Sequence, residues 1–276
     1  MLLDRNNVNP DTADEGGRKP LSWATENGHE EVVRLLLERN DVNPNTTLKD
    51  GRTLLLAVQN GHEGVVGVLL EESGANPNMP CKYGPTLLFL AWYGHEGVVR
   101  RLLERADVDP DTADKEGLTP LYFVAVFGHE KVVGRLLERN DVNPNITDEW
   151  GRTPLFWASA NRHGGIVRML LGRSDANPDR ADMFGQTQLS QAAEKGCEEV
   201  VRMLLKRIDV NPSATTTDGQ TPASLAAGRG HYRIAKLLRD REDSIHRYAA
   251  SLQPTEHSPL GSSGISEPPF KRPRWL

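Results

Sequence analysis

The chain has 276 residues, of which 37% are hydrophobic, 26% charged and only 6% aromatic, and it contains no run of 18 apolar residues able to span a bilayer. Its 33 Lys and Arg against 38 Asp and Glu leave a net charge of -5, so it lacks the broad positive field behind most non-specific nucleic-acid affinity. Cys81 and Cys197 form no CxxC pair, which excludes a disulfide framework and a cysteine zinc site and fits a reducing compartment, and the polar start MLLDRNNVNP offers no apolar core for a secretory signal.

Residues 1–13 match the phrase RLLLERNDVNP found downstream, and read as the remnant of a second helix whose first helix is absent. A fraying first copy, a partner covering it and a shortened gene product are all compatible with that start. From residue 14 the chain repeats itself. The phrase GRKPLSWATENGHEEVVRLLLERNDVNPN from Gly17 returns as GLTPLYFVAVFGHEKVVGRLLERNDVNPN from Gly117 and as GRTPLFWASANRHGGIVRMLLGRSDANPD from Gly151. A shorter match, GQTPASLAAGRGHYRIAKLLRD, begins at Gly219. His29, His62, His95, His129, His163, Cys197 and His231 mark seven copies over residues 14–240, at steps of 33, 33, 34, 34, 34 and 34 residues.

Each copy predicts two short helices and a protruding turn. Proline after threonine starts the first helix, because its missing N–H would be unpaired there anyway. About eight residues later Gly28 or its equivalent ends it in a left-handed conformation. The second helix carries a stripe such as Val32, Val33, Leu35, Leu36 and Leu37 until an Asn-Pro turn breaks it. Neither helix reaches the roughly 12 to 15 residues at which isolated helices become marginal, so a copy is stable only against its neighbours. The expected architecture is a stacked all-α solenoid.

Gly-x-Thr-Pro-Leu and Gly-His, kept in register over seven copies, resemble the ankyrin-repeat family, and the Val-Asn-Pro-Asn turns resemble the divergent arrays frequent in fungal sequences. The resemblance implies helix-turn-helix units with protruding β-turn or hairpin loops, and a protein-binding rather than catalytic role. Departures are local: copy two lacks a residue before Leu54, copy three reads GPT, and copy six has Gln188 for proline and Cys197 for histidine.

The repeat histidines read as hydrogen-bonded spacers between copies. Neighbouring copies place equivalent atoms about 10 Å apart, whereas zinc needs ligands at about 2 Å. Cys197 reads as a structural replacement, and no phosphate loop, Gly-x-Ser-x-Gly or HExxH is present. Catalytic, metal and cofactor residues are therefore not expected.

Partners of ankyrin arrays usually meet turn tips and the inner face of first helices. Here copies three and four carry bulky pairs, Trp92-Tyr93 and Val126-Phe127, before the anchor glycine. Tyr83, Leu118, Trp150, Met183 and Phe184 stand at the tips. These nine residues form the expected docking face for a protein segment, a greasy cluster within a polar rim. The opposing arrangement has Trp92, Tyr93 and Phe127 packed inward, as Trp23 and Trp157 are expected to be.

Ile245, Tyr248, Ala249 and Leu252 predict a capping helix over 241–252. Residues 253–276 are Ser, Pro and Gly rich and read as a disordered tail, in which Lys271, Arg272 and Arg274 resemble a short nuclear-import signal. The chain is expected to be a monomeric scaffold or adaptor, cytoplasmic or nuclear, with a protein partner and no direct nucleic-acid or membrane contact. A nuclear coregulator acting through the same array, and the recognition fragment of a larger signalling protein, are the other readings.

Overall fold

The computed structural model describes residues 9–43, 47, 48, 51–71, 73, 75, 77, 78 and 93–251. Chain contacts divide it into two compact units, residues 1–149 and 150–276. In the first, helices α1 (Pro20–Glu26), α3 (Thr53–Gln59) and α6 (Pro120–Phe127) are first helices of copies one, two and four. Their second helices are α2 (Glu30–Leu37), α4 (Glu63–Glu71) and α7 (Glu130–Leu137), and α5 (Glu96–Leu103) is that of copy three. The tip of copy two closes as an antiparallel hairpin of β1 (Thr47–Leu48) and β2 (Gly51–Arg52), in which Thr47 faces Arg52. The second unit holds α8 (Pro154–Ala160), α10 (Gln188–Glu194) and α12 (Pro222–Gly228) as first helices. It pairs them with α9 (Gly164–Gly172), α11 (Glu198–Leu204) and α13 (Tyr232–Ser251). Like elements stack on like: α1 on α3 and α2 on α4 in one unit, α8 on α10 on α12 and α9 on α11 in the other.

Four of the described first helices, α6, α8, α10 and α12, begin where threonine caps them. The hydroxyls of Thr119, Thr153, Thr187 and Thr221 each accept from the N–H three residues on, satisfying one of the orphan donors of the first turn. Gln188 replaces the usual proline at the start of α10 and is fully buried. Its amide fits best with the nitrogen donating to the carbonyls of Pro178 (2.8 Å) and Arg180 (3.2 Å) and the oxygen accepting from Thr153 Oγ1 (3.1 Å). The departure from the repeat phrase is thus absorbed as a polar tie to copy five.

The second-helix core is narrower than the expected stripe. Val33 and Leu36 are buried, Leu35 and Leu37 are half-buried, and Val32 is exposed. Leu102, Leu136, Leu170 and Leu204 repeat the Leu36 position at no more than 1% exposure, each contributing about 2 kcal/mol by leaving water. The capping helix expected at 241–252 is instead the continuation of α13, which runs 20 residues. No Asn-Pro follows Leu238 to stop it. Ile245 and Ala249 are half-buried on it and Tyr248 is exposed; Leu252 and the tail lie outside the described residues.

Two sets of contacts tie copy to copy. On the first-helix side, His62 Nε2 meets the carbonyl of Glu26 at 2.9 Å and His95 Nε2 that of Gln59 at 3.1 Å, as the spacer reading of these histidines requires. The ring lies directly over the anchor glycine of the preceding copy: a Cβ at Gly28 would stand 2.6 Å from His62 Nδ1, and one at Gly196 2.5 Å from His231 Cε1. Glycine is required there twice over, for its positive φ and for the missing Cβ. On the second-helix side, Arg105, Arg139 and Arg207 each hold the aspartate two residues on in a two-bonded pair. Each also reaches back to a carbonyl at the end of the preceding second helix, those of Leu70, Leu103 and Leu171. These arginines cap helix C-termini in trans, where the macrodipole favours a cation.

A third tie runs through the turns. The N–H of Asn143 donates to Asp111 Oδ2 at 2.7 Å and that of Asn211 to Asp179 Oδ1 at 3.1 Å. Burial pushes the Asp179 carboxyl up to about 6; the Asn211 N–H opposes this and the charge of Asp209 adds to it. The unfolded chain releases this proton near pH 4 and the folded one near 6, so stability falls as pH rises through that window and stays reduced above it. Asp179→Asn, which installs the residue found as Asn145 one copy earlier, should equal the parent near pH 4. Above pH 6 it should exceed the parent by about 1 kcal/mol, allowing for solvent screening. Urea midpoints at pH 4.5 and 7.5 check this; a difference independent of pH would show that the carboxyl titrates normally.

Candidate functional site

The tips are built by aspartates. Asp114 Oδ1 accepts from the N–H groups of Glu116 (3.0 Å) and Leu118 (2.8 Å), and Asp182 Oδ1 from those of Phe184 (2.9 Å) and Gln186 (2.8 Å). Gly117 and Gly185 complete these turns with positive φ. Such carboxylate-braced turns fix the backbone locally. Whatever stands at the tip is presented without further ordering.

In the second unit, three successive tips are joined backbone to backbone. The N–H of Met183 donates to the carbonyl of Trp150 at 2.9 Å, and that of Thr217 to the carbonyl of Phe184 at 2.9 Å. On this ridge Trp150 is 40% exposed, Met183 61% and Phe184 54%. Beside it the Arg152 guanidinium lies 4.3 Å from the ring centres of both Trp150 and Trp157, a cation stacked on two indoles. Trp157 is half-buried on α8.

In the first unit, Tyr93 and Phe127 are exposed. Tyr93 stacks on His95 with ring centres 6.3 Å apart, and Phe127 tilts against His129 at 6.5 Å. Val126 and Leu118 are half-buried. Tyr83, Trp92, Lys271, Arg272 and Arg274 lie outside the described residues.

Trp23 does not pack inward as expected. It is 47% exposed, donates its indole N–H to Asp14 Oδ2 at 3.0 Å and carries the Arg18 guanidinium 4.7 Å above its ring. The fourth residue of a first helix faces away from the second helix. The inward aromatics are Tyr122 and Phe156, one residue earlier in the phrase. Arg152 and Trp157 are the site residues that sequence reasoning missed. Their signal was an aromatic at the fourth helix position with an arginine beside the tip, a pattern shared with Trp23 and Arg18.

Cys197 is buried, and burial pushes its thiol up while Arg162 opposes the shift. A thiol held protonated is a poor nucleophile, which agrees with a packing role. Among the described residues no cluster of three or more His, Cys, Asp or Glu side chains is arranged to hold a metal ion, and no helix is long and apolar enough to cross a membrane.

Stacked helix pairs, projecting turns and the glycine-histidine anchor define a repeat solenoid. Family models described as ankyrin repeats (3 copies) match residues 1–81, 40–114 and 87–182, and one described as ankyrin repeats (many copies) matches 189–239; the chain belongs to the ankyrin-repeat family. Ankyrin repeats are generally protein–protein interaction modules and typically non-enzymatic. A search of curated proteins returned no match.

Proposed function

We propose that the chain is a non-enzymatic scaffold that holds a protein segment on the apolar side chains of its tips and first helices. The observation that carries this is the ridge of Trp150, Met183 and Phe184, three large apolar side chains left in water on turns whose backbones are already fixed. Exposed large hydrophobes rimmed by polar groups are a usual mark of an interaction site, and rigid aromatic anchors lose little entropy on binding. Tyr93, Val126, Phe127 and Leu118 offer a comparable surface on the first unit, and Tyr83 and Trp92 belong to the same proposed set by their repeat positions. We place the protein in the cytoplasm or nucleus, the latter reading resting on Lys271, Arg272 and Arg274, with a nuclear coregulator as its refinement.

The test is Trp150→Ala combined with Phe184→Ala. Both side chains are outside the core, so helicity and melting temperature should stay within a few degrees of the parent. Retention of whatever protein the parent chain captures should drop at least tenfold, because central aromatic anchors carry about 2 kcal/mol or more each. Undiminished capture by a folded variant would remove the ridge from the binding surface.

A further inference from the structure

Charge is distributed unevenly along the chain. Residues 1–149 carry 15 Lys and Arg against 25 Asp and Glu, whereas residues 150–251 carry 15 against 11, a local excess of four positive charges. That excess is partly concentrated on one structural row. The residue before the anchor glycine is exposed in every described copy, and in copies one and two it is Asn27 and Asn60, in three and four Tyr93 and Phe127. In the second unit it is Asn161, followed by Arg162 at the glycine position itself, then Lys195 and Arg229, so three basic residues gather at this end of the first helices. Arg229 is neutralised by Glu194, 2.6 Å away. Arg162 spends a hydrogen bond on the uncharged carbonyl of Lys195, and Lys195 makes no ion pair among the described residues. Arg152, held between the two indoles, adds a further cation beside the tip ridge.

From these basic helix ends and the apolar tips of the same unit we propose that the second unit binds an acidic peptide segment in extended conformation, with carboxylates facing Arg162 and Lys195 and an apolar side chain against Trp150, Met183 and Phe184. The proposal deepens the interaction reading above and rests on it. Geometry adds a spacing. Successive first helices stand about 10 Å apart, and an extended chain of polyproline-II form advances about 3.1 Å per residue with three residues to the turn, so acidic side chains three residues apart lie on one side and meet successive copies. Nucleic acid is the less favoured anion. Glu194 neutralises Arg229 within the basic row, and the chain as a whole is at -5, against the continuous positive field that a phosphate backbone requires.

The experiment is selection of random 12-residue peptides displayed on phage against the purified full chain. The expected winners carry Asp or Glu at three-residue spacing together with Phe, Trp or Leu. Synthesised singly, they should bind about tenfold more weakly to Arg162→Gln with Lys195→Glu, and should lose affinity to the parent as salt is raised from 50 to 500 mM, a readout that needs no variant to fold. Winners that are neutral or basic, or acidic winners indifferent to both charge and salt, would overturn the acidic-segment proposal and leave the interaction reading standing. Capture of a 20-nucleotide single-stranded DNA probe as tight as that of the winners would overturn it in favour of nucleic acid. A selection that enriches nothing would count against both.

Discussion

Gly196→Ala should cost about 3 kcal/mol of stability, while Gly230→Ala, at the same place in the next copy, should cost about 1. Both glycines have positive φ, 75° and 80°, so both alanines carry the backbone strain. They differ in what lies above them. A Cβ at Gly196 would stand 2.5 Å from Cε1 and 2.7 Å from Nε2 of His231, whereas one at Gly230 would meet nothing within 4 Å among the described residues. The difference of about 2 kcal/mol is then the cost of displacing one inter-copy histidine from its seat. Urea denaturation followed by circular dichroism measures both. Equal losses would mean that His231 swings aside freely and that the anchor is a local helix stop, not a contact between copies.

This pair also shows what sequence can and cannot carry. The period, the two helices and the glycine stop are legible because each rests on local chemistry that recurs along the chain: threonine or proline at a helix start, left-handed glycine at its end. The reason for histidine beside glycine was legible only as a role, a spacer, since the ring acts on the glycine 34 or 35 residues earlier. The Arg105, Arg139 and Arg207 contacts were not legible at all. Locally the phrase Arg-x-Asp reads as a helix end, and only the stacked neighbour supplies the carbonyl that the arginine caps.

For the candidate site, the identity of the tip residues was legible because packing does not constrain them and they vary from copy to copy. Their environment was not. Periodicity places Trp23 and Trp157 on a first helix without saying which side the second helix takes, and the exposed position of Trp23 follows from that choice. The stacking of Arg152 on two indoles joins residues two and five positions apart through a turn whose geometry depends on the neighbouring tip. At the C-terminal end, counting by period put a boundary after residue 240, but the chain obeys its breaker residues. With no proline to stop it, α13 continues to Ser251.

Where the repeat phrase breaks twice, the two breaks explain each other. Arg162 occupies the anchor-glycine position of copy five and takes up the left-handed backbone with φ 65°, unlike any other described non-glycine residue. One copy later, where histidine should lie over it, stands Cys197. The distances at the intact anchors give the reason: against a real Cβ the ring would sit at 2.5–2.9 Å, inside van der Waals contact, and a thiol is small enough to avoid it. Cys197→His alone should therefore destabilise by about 2 kcal/mol through overpacking. Arg162→Gly alone should change stability by less than about 1 kcal/mol, relief of the left-handed strain offsetting the lost hydrogen bond to the Lys195 carbonyl. Together the two substitutions rebuild the glycine-histidine anchor, and the double variant should return to within about 1 kcal/mol of the parent, a coupling of about 2 kcal/mol in the cycle. Denaturation midpoints of the four proteins decide it. If the two effects simply add, Cys197 is in its place for some reason other than the side chain beneath it.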